Sequence, residues 1–271
     1  MKRKASKKSK LSQQILCSIL AASVIGMTGS AFAATHNEKW VVNGEIIENK
    51  NVSNYISLNM EDLKAGAEIT DSQFLNNKFT GNTANGVYGG VFRVQNLTDP
   101  NQIVTVNNTV FRGNIATVTK NNTWALGGAI MIKGATTTFT DVDFDNNKIV
   151  GEGNAVQVGG GALYVDAVRN KDVVKPEGNA NVTFKVTKDM AYTGNTIQAG
   201  DNSNEWYDTY GGLAQSKGGF LFIDRDAEVA FDVDENATLT IGNDNSADKN
   251  EDTIASVVPY VGTDVDFAKI V

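Results

Sequence analysis

Cysteine and histidine are almost missing from this chain, which has only Cys17 and His36. Cys17 lies inside an N-terminal apolar run, so the rest of the protein has no thiol chemistry and no disulfide. In an oxidising compartment such a chain must be held by a continuous core and by backbone pairing. His36 has no partner motif around it, so no Ser-His-Asp or Cys-His nucleophilic site can be assembled. Basic residues are scarce past the start. Six of the 24 Lys and Arg fall within the first ten positions, leaving 18 against 31 acids, a net of −13. That balance excludes nucleic acid and anionic lipid as main partners, since both require basic patches. Helical periodicity is lacking as well: beyond the N-terminus no window carries an apolar stripe at helical spacing.

The N-terminus has three parts. Lys2, Arg3, Lys4, Lys7, Lys8 and Lys10 form a basic start without an acid, Ile15 to Met27 is an apolar run, and Ala31-Phe32-Ala33 places small residues where a signal peptidase reads them. This is the layout of a secretory signal over residues 1–33, cut after Ala33. The run is too short for a membrane anchor. There is no Arg-Arg pair for twin-arginine export, and Leu16 stands before Cys17 where a lipobox has Gly or Ala. The mature chain is therefore expected to be exported, to the cell surface, outer membrane or medium.

Beyond the signal the sequence repeats. Ile69-Thr70-Asp71-Ser72-Gln73-Phe74-Leu75-Asn76-Asn77 aligns without gaps on Val106 to Asn114 and on Phe139 to Asn147, giving apolar-x-Asp/Asn-x-x-Phe-x-x-Asn. A degenerate copy runs from Asp189 to Asn195. Each motif is followed by a glycine pair and a short strand-like segment: Gly89-Gly90, Gly127-Gly128, Gly160-Gly161 and, after a longer gap, Gly218-Gly219. Two motifs recurring in fixed order point to stacked supersecondary units. After each pair the second and fourth positions are always apolar (Phe92 and Val94, Ile130 and Ile132, Leu163 and Val165, Leu221 and Ile223), while the first and third vary. Period-2 alternation of this kind implies a strand with one packed and one outward face.

A solenoid accounts for the spacing. Stacked coils put equivalent residues about 4.8 Å apart, so Phe74, Phe111 and Phe144 should form an internal aromatic column, and Asn77, Asn114 and Asn147 an amide ladder at a corner. The expected fold is all-β, a single-stranded right-handed parallel β-helix of the pectate-lyase-like kind. A β-sandwich competes but gives no reason for a 33-residue spacing.

The Gly-Gly-Ala-Ile segment at Gly127, its variants at Gly89, Gly160 and Gly218, and the Phe-x-x-Asn motifs at Phe74, Phe79, Phe111 and Phe144 resemble the chlamydial polymorphic outer-membrane proteins. More broadly they resemble autotransporter passengers. The resemblance covers roughly Ala67 to Asp224 and fades towards the C-terminus. It implies an outer-membrane translocator barrel as partner, which is expected to be absent from this chain, since no series of amphipathic barrel strands precedes Val271. Residues 34–66 are expected as an N-terminal cap and 67–271 as the repeats, truncated at the C-terminal end.

Several features are candidates for function. About ten extra residues in the last interval before a glycine pair bring in Trp206, Tyr207 and Tyr210, as in binding loops. The outward row Arg93, Met131, Tyr164, Phe222 would favour lateral self-association or docking if exposed, unless long loops and Trp124 cover it. The acidic stretch Asp244 to Asp252 hints at calcium, but Lys249 stands where a calcium loop has Gly, so a solvated turn is the reading adopted. Asp141, Asp143 and Asp145 would share a face as an enzyme's carboxylates do, with no basic residue set beside them. Six Asn-x-Ser/Thr sequons reflect Asn and Thr richness. The expected function is adhesion or surface display towards a host-cell or bacterial surface protein or glycan, without catalysis, cofactor or metal. The alternatives are a carbohydrate-active β-helix enzyme, lyase or hydrolase, and a purely structural surface-layer component. The signal itself makes a direct prediction: intact-mass analysis of the exported protein should find Ala34 at its N-terminus, and a chain still starting at Met1 would remove the export argument.

Overall fold

The computed structural model describes residues 40–48, 51–52, 56–59, 66–81, 87–95, 103–120, 123–152, 156–166, 181–198, 216–224, 227–242, 244–247 and 254–256. Among these residues every element is a β-strand. One complete unit lays down five strands in order: Ile103–Asn107, Val110–Arg112, Ile115–Val118, Thr123–Leu126 and Ile130–Lys133. Each pairs with its counterparts in the units before and after. The first-position strands Trp40–Asn43, Ala67–Thr70, Ile103–Asn107, Thr136–Thr140, Asn181–Val186 and Glu228–Val233 thus form a six-stranded sheet in chain order. The other four positions stack in the same way, and all of these pairings are parallel. The protein is all-β, built from parallel strands in stacked sheets.

The repeat sets the register. Phe111 pairs with Phe74 on one side and Phe144 on the other, and the rings stack with centroids 4.9 and 5.4 Å apart. Tyr192 continues this column at 1% exposure, its ring edge-on to Phe144. A second aromatic column, Phe139–Phe184–Phe231, runs beside it in the first sheet at 5.2 and 4.7 Å. Burial follows the alternation read from the sequence: the apolar second and fourth positions after each glycine pair lie in one core that runs through the stack. Eight residues, Phe79 and Ile149 among them, form a smaller core between the third and fourth sheets.

Two tight corners in each unit explain the motif. Asp71, Asn108 and Asp141 adopt φ of 51°, 43° and 51°, a left-handed conformation that short polar side chains tolerate. Asn76, Gly113, Asn146 and Gly194 do the same at the second corner, with φ of 54°, 65°, 52° and 63°. Their alternation of Asn and Gly has a steric cause. A Cβ on Gly113 would lie 2.3 Å from Asn76 Oδ1, and one on Gly194 2.2 Å from Asn146 Oδ1, so each Asn side chain covers the α-carbon of the next glycine.

The ladder asparagines follow directly. Asn77, Asn114, Asn147, Asn195 and Asn245 are buried and stacked one unit apart. At each of the four steps, the earlier residue's backbone N–H and Nδ2 both donate to Oδ1 of the next, at 3.0–3.2 Å and 2.8–3.0 Å. The second Nδ2 hydrogen goes back to a main-chain carbonyl of the previous unit: Ile47, Phe74, Phe111, Phe144 and Tyr192 in turn. The amides of Asn114, Asn147 and Asn195 thus fill two donor and two acceptor sites without water, which is what lets so polar a group sit in the interior.

The glycine pairs have two separate constraints. The first glycine takes a positive φ, 74° at Gly89 and 76° at Gly127, and a Cβ there would meet the carbonyl three residues on at about 2 Å. The second is pressed against the neighbouring unit. A Cβ on Gly90 would stand 2.0 Å from Gly128 O, on Gly128 1.8 Å from Gly161 O, and on Gly161 1.9 Å from Gly219 O. The four pairs therefore stack as backbone on backbone.

Residues 40–59, within the segment expected as a cap, supply strands to the same sheets as the repeats, in register: Ile47 pairs with Phe74 and Val42 with Ile69. Gly44, with φ 70°, occupies the corner position of Asp71.

Two substitutions measure these packing arguments. Asn147→Ala strands the Asn114 backbone N–H, its Nδ2 and the Phe111 carbonyl, and should lower stability by roughly 3–5 kcal/mol in chemical denaturation. Thr137 is 1% exposed in a valine column between Val104 and Val182, and its hydroxyl has no hydrogen-bond partner. Thr137→Val should therefore stabilise by about 1 kcal/mol. A loss there would mean that the hydroxyl is satisfied.

Candidate functional site

The outward row following the glycine pairs is brought together as the alternation requires: Arg93, Met131, Tyr164 and Phe222 stand in neighbouring units. It is not an exposed stripe: of the two readings, the covered one describes the row. Met131, Tyr164 and Phe222 are 1–3% exposed and form a separate apolar cluster with Leu126, against which Tyr88 and Trp124 pack. The cover is the outer side of the fourth sheet, which folds back over the fifth. In the strand Thr123–Leu126, Ala125 faces the core between the third and fourth sheets, while Trp124 and Leu126 turn to the row. Gly159 makes room for the stacked rings of Tyr164 and Phe222, each about 3.3 Å from where its Cβ would be. Arg93 closes the near end, its guanidinium 4.8 Å above the Tyr88 ring. Tyr164 and Phe222 therefore serve the packing of two sheets and offer no contact surface.

Beside this corner lie two buried acids. Asp166 takes Lys133 at 3.7 Å, and Asp224 accepts a short hydrogen bond from the Tyr164 hydroxyl. These partners were not singled out from the sequence, although Lys133, Asp166 and Asp224 close the same segment in successive units. The shared position after Ile132, Val165 and Ile223 was the available signal.

The exposed face of the second sheet carries the other cluster. Asp143 and Asp145 alternate outward from the strand Asp143–Asp145, and Arg112 reaches them from the preceding unit. Its Nη2 donates to Asp143 Oδ2 at 3.1 Å and its Nε to Asp145 Oδ2 at 2.8 Å. Thr193 Oγ1 and Asn146 Nδ2 both donate to Asp145 Oδ1. The expectation that no basic residue stands beside these acids is thus corrected: Arg112 lies 31 and 33 residues away in sequence but one strand away in space. Asp141 stands apart at its corner, accepting from the Thr187 backbone N–H and hydroxyl. Burial pushes the Asp143 carboxyl above its ordinary range; Arg112 opposes the shift and Asp145 adds to it.

Asp244 is exposed and Asn245 belongs to the ladder, so the start of the acidic stretch is structural; residues 248–252 lie outside the described residues. Trp206, Tyr207 and Tyr210 also lie outside them, as does Ala33. The segment holding the three aromatics joins Thr196–Gln198 to Ser216–Lys217, strands of the third and fourth sheets. Among the described residues no group of three or more His, Cys, Asp or Glu could hold a metal ion, and no helix is long and apolar enough to cross a membrane.

No protein-family model, no curated protein and no solved structure matches the chain.

The Arg112 cluster generates a measurable order. In a carboxyl NMR titration Asp143 should titrate above an ordinary aspartate, higher still in Arg112→Gln and lower in Asp145→Asn. Because its folded-state pKa is raised, its contribution to stability is present below the unfolded-state pKa and lost as pH rises towards the folded value. Asp143→Asn should remove that part of the pH dependence. An Asp143 titration unmoved by Arg112→Gln would show that the ion pair does not form.

Proposed function

We propose that this chain is an exported passenger-type protein: a single right-handed parallel β-helix that presents its connecting segments for adhesion or surface display, without catalysis. The observation that supports this reading is the in-register stacking of equivalent residues, with the asparagine ladder running through five units. Parallel strands paired with the next unit in each sheet, and one core running through the stack, suit a stiff rod. A rod needs no pocket to act; it holds loops at a distance from its anchor. The basic N-terminal segment and its Ala-x-Ala site support export. The Gly-Gly and Phe-x-x-Asn motifs support the resemblance to autotransporter passengers, with a translocator barrel as the partner in export.

The binding segment on this reading is the one carrying Trp206, Tyr207 and Tyr210. The partner class is a host-cell or bacterial surface protein or glycan. Display without catalysis is supported by the state of Asp143 and Asp145, the carboxylates that share a face as an enzyme's do: both are engaged by Arg112.

The test uses beads coated with residues 34–271 and incubated with cultured epithelial cells or with the source bacterium. Adherence should exceed that of uncoated beads. It should fall at least fivefold when Trp206, Tyr207 and Tyr210 are replaced by Ser, with the far-UV circular dichroism unchanged. Beads that adhere no better than uncoated ones would overturn the adhesive reading, while adherence insensitive to the triple substitution would move the binding surface elsewhere on the rod.

A further inference from the structure

We draw no further inference here: the strongest candidate, the aromatic corner between the fourth and fifth sheets where Tyr88 and Trp124 pack on the Met131–Tyr164–Phe222 cluster and Arg93 lies over the Tyr88 ring, belongs to the packing already described, and nothing in the structure shows what covers its outer side.

Discussion

Parallel pairing between successive units is the constraint from which the other features follow. In such a stack each residue lies over its own equivalent, about 4.8 Å away, so each side chain must be compatible with a near-copy of itself. Aromatic rings meet this by stacking, as in Phe74–Phe111–Phe144 and Phe139–Phe184–Phe231. Primary amides meet it because they are donor and acceptor at once: the Oδ1 of one asparagine takes what the Nδ2 of the one before it gives. Paired glycines meet it by bringing backbones to a distance that no Cβ allows.

Charges cannot satisfy the same rule, and the columns show how the conflict is avoided. Like charges one strand apart repel, and on the outer faces they are interleaved with neutral or opposite groups. Asp71 and Asp141 are separated by Asn108, and Asn108 donates to Asp71 at 2.7 Å. Lys78 and Lys148 are separated by Ile115. Arg112 faces Asp145, and Lys185 faces Asp232. The exception among the described residues is Asp166 and Asp224, which occupy equivalent positions in successive units and are both buried. There Lys133, the preceding residue of the same column, meets Asp166, and the Tyr164 hydroxyl meets Asp224 from the side.

This logic also marks what the sequence could reveal. The aromatic column and the first three ladder asparagines were readable because their spacing in the motif is constant. Asn245 was hidden by one extra residue: it follows Ile241, the column position, by four places where Asn114 follows Phe111 by three. Residues 40–48 read as part of a cap and not as a copy of the motif because glycine replaces Asp at the corner and isoleucine replaces phenylalanine in the column. Both exchanges are physically equivalent, yet they erase the letters of the motif. The row Met131–Tyr164–Phe222 was placed on the correct face, but its environment was not legible. Alternation within one strand says which way a side chain points, not whether another sheet folds back over it. The Arg112 ion pair was missed for a related reason, since its members are neighbours only through the stack.

The same constraint decides where function can reside. The connections from first to second strand and from second to third span two residues in three successive units (Asp71-Ser72 and Asn76-Asn77, Asn108-Thr109 and Gly113-Asn114, Asp141-Val142 and Asn146-Asn147) and three in the next (187–189 and 193–195). They hold the left-handed corners and the ladder, so length varies by only a few residues and the corner accepts little beyond Asp, Asn and Gly. The glycine-pair connection, three residues in each unit that has it (89–91, 127–129, 160–162, 218–220), is fixed by backbone contact. The third-to-fourth connection is not so bound. It spans residues 119–122 and 152–155 in two units and 199–215 in the next. With the exterior apolar row consumed in packing the fourth sheet on the fifth, and the Asp143–Asp145 carboxylates engaged by Arg112, the connections of variable length are the positions the stack constrains least. A stack this strict in its interior leaves its insertions the most room for change, which is the physical content of the proposal that the segment around Trp206 carries adhesion.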